Sequence, residues 1–383
     1  MQKSPVSRPM FGVLGRDAAC NTRSWNRYMT DLFDPLRAGL LELPNRIIMG
    51  PLTRSRAGVS HVPNALMAEY YAQRASAGLI ITEATMVAAD ACAFIGEAGI
   101  FDDSCASGWS AVTRAVHERG GRIMMQLWHP GRAAHSSLGG GVQPISSIDW
   151  PIRNDTIRTL EGAMPYEVPR QLATDEIPGV VELFRAAAVR AVDAGFDGVQ
   201  IHSAHGYLVD QFLRDGTNER TDRYGGSIEN RARLLLEIVD AISSVGGAGR
   251  VAVRISPLVI YNDILDSDPV ELVRHLAAEL DRRKIAFLEV RHEDHTDPQE
   301  QLIGKVAREN FGGALFVNGG FECETARVAI NTGRADAVVF GKAFIANPDL
   351  VARFLNHAPL AALDPLTLYG GAGAGYTDYP MLA

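Results

Sequence analysis

The sequence has few cysteines and no long hydrophobic run. Four cysteines occur in 383 residues, and no two of them form a C-x-x-C pair. This usage argues against zinc ribbons, iron–sulfur clusters and a disulfide framework, and it makes a reducing, cytoplasmic location the natural expectation. No apolar run approaches the roughly 18 to 20 residues that a membrane-spanning helix needs. The sequence therefore predicts a protein without a membrane anchor.

An excess of positive charge is also absent. Lys and Arg together number 37 against 45 Asp and Glu, which gives a formal net charge of −8. The basic residues form no cluster of the kind that neutralises a phosphate backbone. We therefore expect small molecules, and no nucleic acid, as partners.

The first 28 residues differ from the rest of the chain. They are rich in Arg, contain a single acidic residue, Asp17, and show no periodic apolar pattern. An upstream start codon or a disordered tail is the favoured interpretation, and an organellar targeting peptide is the alternative. Residues 29–383, which begin at Met29, are then predicted to form one folded domain.

From residue 46 onward, short apolar runs alternate about eight times with segments of helical period. Parallel strands that are buried on both faces consist of such apolar runs, and helical crossovers must join them. Eight strand–helix units predict a single (β/α)8 TIM barrel, with a doubly wound open sheet as the alternative. The predicted strands are 47–49, 79–83, 123–128, 198–201, 251–255, 287–290, 315–317 and 337–340.

Two segments lie outside this repeat. Residues 38–43 precede the first strand and are predicted to form an N-terminal hairpin that plugs the bottom of the barrel. Residues 130–173 follow the third strand, and we predict a long excursion over the site rather than a second domain, since barrel active sites are built from loops after the strands. The helical pattern is clearest in residues 175–194 and 229–242, which carry apolar residues along one face.

The fourth predicted strand is followed by His202, His205 and Tyr207. If residues 198–201 form a strand, its end delivers two imidazoles and a phenol into one loop. Such a cluster can hold an oxygen atom and donate a proton. An H-x-x-H pair can also bind a metal, but no third ligand occurs at a defined spacing, so we predict no metal site.

Polar residues and glycines gather after the other strands as well. Arg254 lies in a pattern otherwise typical of core, so its guanidinium needs a carboxylate or a ligand oxygen, of which we favour the ligand. Two glycine sites and Lys342 match the position where barrels hold a phosphate, although a Gly-Gly pair can equally be a turn. The strand-end residues are Pro51, Leu52, Thr53, Ala84, Gln126, Trp128, Arg254, Asn318, Gly319, Gly320, Gly341 and Lys342.

A series of motifs gives the chain a resemblance to a known family. In chain order they read NRIIMGPLTRSRA, YYAQRASAGLIITEAT, QLWHPGR, HSAHGYLVDQFLRDGTNERTDRYGGSIENRARLLLE, FGKAFIANPDL and GYTDYP. Over residues 32–380 the chain resembles the old yellow enzyme family of FMN-dependent ene-reductases. The resemblance implies bound FMN, NADPH or NADH as reductant, an electron-poor alkene or nitro compound as substrate, and a monomer or homodimer. Reduction of nitrate esters or nitroaromatics, double-bond isomerisation, and a non-catalytic barrel that binds a phosphorylated ligand are the alternatives.

The resemblance also implies a role for each strand-end residue. All of them except Trp128 would hold FMN: Thr53, Ala84, Gln126 and Arg254 at the isoalloxazine, and the glycines with Lys342 at the phosphate. Lys342 stands where the family usually has arginine, which replaces a bidentate fork by a point charge and predicts weaker FMN retention.

On the substrate side, the resemblance implies that His202 and His205 bind a carbonyl or nitro oxygen. Tyr207 would donate a proton to the α-carbon, because a phenol with an ordinary pKa near 10 is protonated at neutral pH. Trp128 and Tyr376 would contact the substrate, although Tyr376 can alternatively anchor the C-terminal tail.

Overall fold

Eight parallel strands close into a barrel in the computed structural model, which describes residues 30–382. The predicted leader, residues 1–28, lies outside this range. The first two strands, β1 (Leu36–Ala38) and β2 (Leu41–Leu43), form a separate antiparallel hairpin. The remaining strands are β3 (Ile47–Met49), β4 (Leu79–Met86), β5 (Ile123–Trp128), β6 (Ile145–Ser146), β7 (Thr156–Thr159), β8 (Gly162–Pro165), β9 (Arg170–Gln171), β10 (Gly198–Ser203), β11 (Val251–Ile255), β12 (Phe287–Arg291), β13 (Ala314–Asn318) and β14 (Ala337–Phe340).

The barrel consists of β3, β4, β5 and β10 to β14, each beside its neighbour in the chain, with β14 closing against β3. The predicted (β/α)8 barrel is therefore confirmed, and the open sheet is excluded. Four predicted strands were too short, because β4, β10, β12 and β13 continue through polar or small residues at their ends. The added residues His202, Arg291 and Asn318 continue the inward-facing side of their strands, so they keep the ladder although they break the apolar pattern.

Helices cover the outside of the barrel. The predicted helices 175–194 and 229–242 correspond to α3 (Ile177–Asp193) and α5 (Ile228–Gly246). Helix α5 begins after an N-cap at Ser227, whose hydroxyl accepts a hydrogen bond from the Asn230 N–H. No helix of residues 30–382 is long and apolar enough to cross a bilayer. The helices are α1 (Ala65–Gln73), α2 (Asp103–His117), α3 (Ile177–Asp193), α4 (Leu208–Leu213), α5 (Ile228–Gly246), α6 (Pro269–Arg283), α7 (Pro298–Asn310), α8 (Cys323–Asn331), α9 (Lys342–Ala346) and α10 (Leu350–Leu355), with short 3-10 turns at Gly58–Ser60, Asp215–Thr217, Ala248–Arg250 and Pro365–Thr367.

The β1–β2 hairpin plugs the bottom of the barrel, as predicted. Its residues Ala38, Leu41 and Leu43 are buried in one cluster with inward-facing residues of the barrel strands. Gly39 has a φ of +59°, and a Cβ at this position would lie 2.5 Å from the Gly249 carbonyl oxygen. The hairpin turn can therefore approach the barrel this closely only with glycine.

Inside the barrel, side-chain alternation separates an apolar layer from a polar one. Met124, Ala252 and Phe287 belong to the buried cluster at the hairpin end. Two residues further along the same strands lie Gln126, Arg254 and Glu289. Because the side-chain period of a strand is two, these polar groups also face the barrel axis, directly above the apolar plug.

The segment between β5 and α3 is the predicted excursion. Its strands form two small pairs, β6 with β9 in parallel and β7 with β8 antiparallel. The buried Arg132 donates hydrogen bonds of 2.8 and 2.9 Å to the carbonyl oxygens of Asn262 and Asp263 in the loop after β11. These bonds hold the excursion against the carboxyl ends of the barrel strands.

The C-terminal segment is anchored by stacked aromatic rings and buried guanidinium groups. Tyr376 is fully buried and stacks on Tyr70 of α1, with ring centroids 4.0 Å apart. The Arg54 guanidinium lies 5.1 Å from the Tyr376 ring and donates a 2.7 Å hydrogen bond to the Gly375 carbonyl oxygen. The geometry supports the tail-anchoring interpretation of Tyr376 and disagrees with its assignment as a substrate contact.

We expect Tyr376→Ala to lower the free energy of unfolding by about 3–5 kcal/mol, because the stack and the guanidinium contact are lost. Tyr376→Phe keeps the ring and removes a buried hydroxyl that has no hydrogen-bond partner among the described residues. The Phe variant should therefore be neutral or slightly more stable. Urea unfolding of both variants measures the difference. A Phe variant as unstable as the Ala variant would show that the hydroxyl, not the ring, anchors the tail.

Candidate active site

A cavity of about 1030 Å³ opens at the carboxyl ends of the barrel strands. It is lined by the predicted catalytic residues His202, His205 and Tyr207. All predicted cofactor-binding residues line it as well, namely Pro51, Leu52, Thr53, Ala84, Gln126, Arg254, Asn318, Gly319, Gly320, Gly341 and Lys342. Residues as far apart in the sequence as Pro51 and Lys342 thus meet in one place, because the ends of parallel strands share one rim of the barrel.

The two imidazoles and the phenol face one another across one side of this central cavity. The rings of His202 and His205 have centroids 5.4 Å apart, and the Tyr207 ring lies 5.0 Å from His202 at an interplanar angle of 89°. His202 lies inside β10, so the prediction that all three residues share a loop was wrong for this one. Its position in the strand aims the ring along the barrel axis.

The turn after β10 fixes the other two side chains. His205 adopts a positive φ of 59°, and its backbone N–H donates a 2.8 Å hydrogen bond to the Ser256 hydroxyl. Asn262 donates a 2.8 Å hydrogen bond to the His205 carbonyl oxygen. Tyr207 is the N-cap residue of α4, which sets the direction in which its ring leaves the backbone. Backbone contacts on both sides therefore hold the cluster in place.

Both imidazoles are held in the neutral form. Burial lowers the pKa of His202 and of His205 well below the ordinary value of 6.5, and the positive charge of Arg254 lowers both further. Burial raises the pKa of Tyr207 above 10. At neutral pH the cluster consequently has neutral imidazoles and a protonated phenol, which can donate hydrogen bonds without adding charge.

No protein group among the described residues hydrogen-bonds to either imidazole ring. His202 Nδ1 and His205 Nε2 are buried without a partner. Both of these atoms are shielded from the cavity. The other nitrogen of each ring, His202 Nε2 or His205 Nδ1, is not fully buried and has no partner among the described residues, so it is available to an oxygen atom bound in the cavity.

A chain of four polar side chains crosses the barrel below the cavity. Gln126 Nε2 donates to Gln200 Oε1 at 2.8 Å, and Gln200 Nε2 donates to Glu289 Oε2 at 2.7 Å. Arg254 Nε lies 3.1 Å from Glu289 Oε1, an ion pair whose angle is too poor for a hydrogen bond, so both atoms lack a hydrogen-bond partner. Arg254 therefore pairs with a carboxylate and also lines the cavity. We had predicted that a ligand oxygen, rather than a carboxylate, would be its partner, and this prediction is corrected.

Sequence reasoning missed Gln200 and Glu289. Each lies two residues before another inward-facing polar group, His202 or Arg291, on the same strand. In the sheet, Gln200 neighbours Gln126, and Glu289 neighbours Arg254. Both strands have two polar residues spaced two apart, which places both side chains on the same face. A search for continuous apolar runs overlooks such pairs.

Glycines and one lysine form the opposite end of the cavity. Gly319 has a φ of +130°, and a Cβ there would lie 2.3 Å from the His292 carbonyl oxygen. His295 Nδ1 lies 2.9 Å from the Gly319 carbonyl oxygen and its ring stacks on Phe321, so the loop after β12 braces this turn. Lys342 is exposed at the first turn of α9 and has no carboxylate within ion-pair distance in the described part of the chain. The arrangement presents backbone and a free cation to an anion.

These residues fit FMN, the cofactor implied by the resemblance. The Arg254 guanidinium pairs with Glu289 through Nε and lines the cavity. Thr53 lines the same cavity, and Gln126 uses only one of its N–H groups within the described structure. The glycine turns with Lys342 match a phosphate at one end. Donors for a flat ring with carbonyl oxygens and a cradle for its phosphate therefore occur in one cavity.

Trp128 does not line the central cavity, although we predicted a substrate contact. It is fully buried, packs edge-on to Tyr207 with centroids 5.1 Å apart, and stacks on Phe94 at 6.0 Å. It lies behind the phenol and supports it. Within residues 30–382, no group of three or more His, Cys, Asp or Glu side chains could hold a metal ion.

Comparison with known proteins agrees with the geometry. Residues 31–361 match the model of the NADH:flavin oxidoreductase / NADH oxidase family. The chain is 45% identical to a probable flavin mononucleotide-dependent alkene reductase of Leishmania infantum, over 92% of this chain and 97% of that protein. It is 42% identical to 12-oxophytodienoate reductase 7 of Oryza sativa subsp. japonica, over 92% of this chain and 94% of that protein.

A solved structure shows the same fold. Morphinone reductase, in complex with tetrahydroNAD, superimposes with a TM-score of 0.89 at 46% identity, covering 92% of this chain and 98% of that one. The family model spans more than half of the chain, and these relatives are well above 30% identical over nearly their whole length. The chain therefore belongs to the NADH:flavin oxidoreductase / NADH oxidase family and is an FMN-dependent, NAD(P)H-dependent ene-reductase of the old yellow enzyme type.

Proposed function

We propose that His202 and His205 together hold the oxygen of an α,β-unsaturated carbonyl or nitro compound, and that Tyr207 protonates its α-carbon. The observation that carries this proposal is the pair of neutral, unpartnered imidazoles beside a protonated phenol. FMN held by Thr53, Arg254 and Lys342 would supply the hydride for the C=C bond, with NAD(P)H as the source of the electrons. Two imidazole N–H groups stabilise the negative charge that then develops on the substrate oxygen.

Tyr207 completes the reaction from its position at the edge of the cavity. Its raised pKa means that the phenol keeps its proton until a strongly basic carbon is formed beside it. Trp128 packs against the ring and limits its movement. Positioning of this kind typically contributes 10²- to 10⁴-fold to a proton-transfer step.

The buried network is proposed to control the charge of the cofactor site. Glu289 pairs with Arg254, whose other side faces the cavity, so the carboxylate offsets part of the positive charge that negative ring oxygens would meet. Gln200 fixes Glu289 by its 2.7 Å hydrogen bond and orients Gln126 at the same time. Both residues act through others and are positioning residues.

We also propose a cytoplasmic location and a monomer or homodimer. The three cysteines among the described residues are free, and two of them, Cys92 and Cys105, are buried. Free thiols are typical of reducing compartments. Fractionation of source cells and size-exclusion chromatography with light scattering test the two parts separately.

Tyr207→Phe should lower kcat for reduction of 2-cyclohexenone by about 10²- to 10⁴-fold, because the ring remains and only the proton donor is lost. Bleaching of the yellow protein by NADPH or NADH in the absence of oxygen is the control, and its rate should not change. Stopped-flow absorbance measures both half-reactions. An unchanged enone half-reaction in the Phe variant would disprove the role of Tyr207.

The two active-site imidazoles should remain neutral through the physiological range. Their pKa values are lowered, so each ring loses its proton below the ordinary value of 6.5 and stays neutral above it. We therefore expect the NMR signals of both rings, assigned with His202→Ala and His205→Asn, to show no titration between about pH 6 and 8. A histidine-containing model peptide, whose imidazole has the ordinary pKa near 6.5, provides the titrating control. A midpoint near 6.5 for either active-site ring would contradict the neutral-pair model.

Glu289→Gln should raise the reduction potential of the bound FMN by a few tens of millivolts, because no carboxylate then offsets the positive charge of Arg254. The substitution retains an acceptor for the Gln200 amide, so folding should survive it. Potentiometric titration measures the potential, and thermal unfolding of the FMN-free protein reports stability separately. An unchanged potential would show that the pair acts only structurally.

A further inference from the structure

A second cavity, here called the side chamber, adjoins the central cavity on the side of Tyr207. Its volume is about 570 Å³. Both cavities are lined by Phe94, Tyr207, Asn262 and Tyr369, so these four residues form the boundary between them. The phenol that we propose as proton donor therefore stands at the entrance of the side chamber.

The lining of the side chamber is mainly apolar. Ala93 and Ile95 come from the loop after β4, and Ile157 and Tyr166 come from the β7–β8 hairpin and the residue after it. Burial raises the pKa of Tyr166 to about 12, so its ring is uncharged at neutral pH. The one charged lining residue, Arg158, is exposed to solvent. Such a surface favours hydrocarbon over polar groups.

The chamber is preformed because its walls are tied to the rest of the structure. The buried Glu97 accepts a 2.8 Å hydrogen bond from the Ala93 N–H, and the Glu97 N–H donates to the Phe94 carbonyl oxygen at 3.2 Å. Phe94 stacks on Trp128, and Ile157 is only 4% exposed. An occupant would therefore not have to order these walls when it binds.

The cofactor does not account for the side chamber. Thr53, Gln126, Arg254 and Gly319, which fit the ring and the phosphate of FMN, line the central cavity but not the chamber. The chamber instead meets the central cavity where Tyr207 stands. A substrate group that branches off near the carbon that Tyr207 protonates can reach the chamber from the reacting centre.

We propose that the side chamber binds an extended apolar substituent on the α-carbon of the substrate. The preferred substrates are then enones with a hydrocarbon chain at this carbon rather than small unsubstituted rings. This inference rests on the proposed function, in which Tyr207 marks the α-carbon. Ile157 is the proposed specificity-determining residue, because it lines the chamber and is absent from the lining of the central cavity.

The test compares kcat/KM for 2-alkyl-2-cyclohexenones with chains from methyl to hexyl, together with Ki for 2-hexylcyclohexanone, a saturated competitor that needs no proton transfer. In the wild type, kcat/KM should rise roughly fourfold with each added methylene until the chamber is filled. Ile157→Trp and the smaller Ile157→Phe should lower the hexyl-to-methyl ratio by about tenfold or more and raise Ki for the saturated competitor.

Leu160→Trp is the matched control, because Leu160 lies at the turn of the same β7–β8 hairpin and is 75% exposed. It should keep the wild-type ratio. A wild-type ratio near one, or an unchanged ratio in both Ile157 variants, would overturn the chamber proposal. If the wild type reduced none of these enones, including the methyl compound, the proposed function itself would fail.

Discussion

The inward-facing polar layer of the barrel is the constraint on which the site depends. Alternation along the strands stacks Gln126, Gln200, Arg254 and Glu289 directly above an apolar plug. Polar groups at this depth are stable only when they pair with one another or with a ligand. The β1–β2 hairpin closes the barrel from below, so the layer can present its remaining donors only upward. The barrel thus has one polar opening.

Burial then determines the chemistry above this layer. The same loss of solvent that lowers the pKa of the two imidazoles raises that of Tyr207, and Arg254 adds to the first effect. At neutral pH the two imidazoles therefore donate hydrogen bonds without carrying charge. The Tyr207 phenol keeps the proton that it is proposed to donate to the α-carbon of the substrate. The positive charge stays with Arg254, where its carboxylate partner offsets it. His202, which is proposed to bind the substrate oxygen, and Arg254, which carries the positive charge, are therefore separate groups although they are neighbours in the sheet.

The eight-strand barrel could be predicted, because apolar runs alternate with segments of helical period, and the hairpin and the excursion are the segments that fall outside this repeat. The predicted catalytic and cofactor-binding residues all line the cavity, since strand ends meet at one rim, but the lining residues of the excursion and of the loop after β11 were not predicted. Gln200 and Glu289 could not, because nothing in a single strand shows that its polar residue will meet one from another strand. Trp128 and Tyr376 were placed in the site from motif position, yet side-chain packing put one behind Tyr207 and the other against Tyr70.

The sequence by itself determined the barrel, the order of its strands and the residue types at their carboxyl ends, because local periodicity and short motifs encode them. Only the tertiary structure decided which polar groups pair, which nitrogen atoms stay unpaired, and where the side chamber opens. Those outcomes depend on the register between strands and on the packing of segments far apart in the chain, and both arise only when the barrel closes.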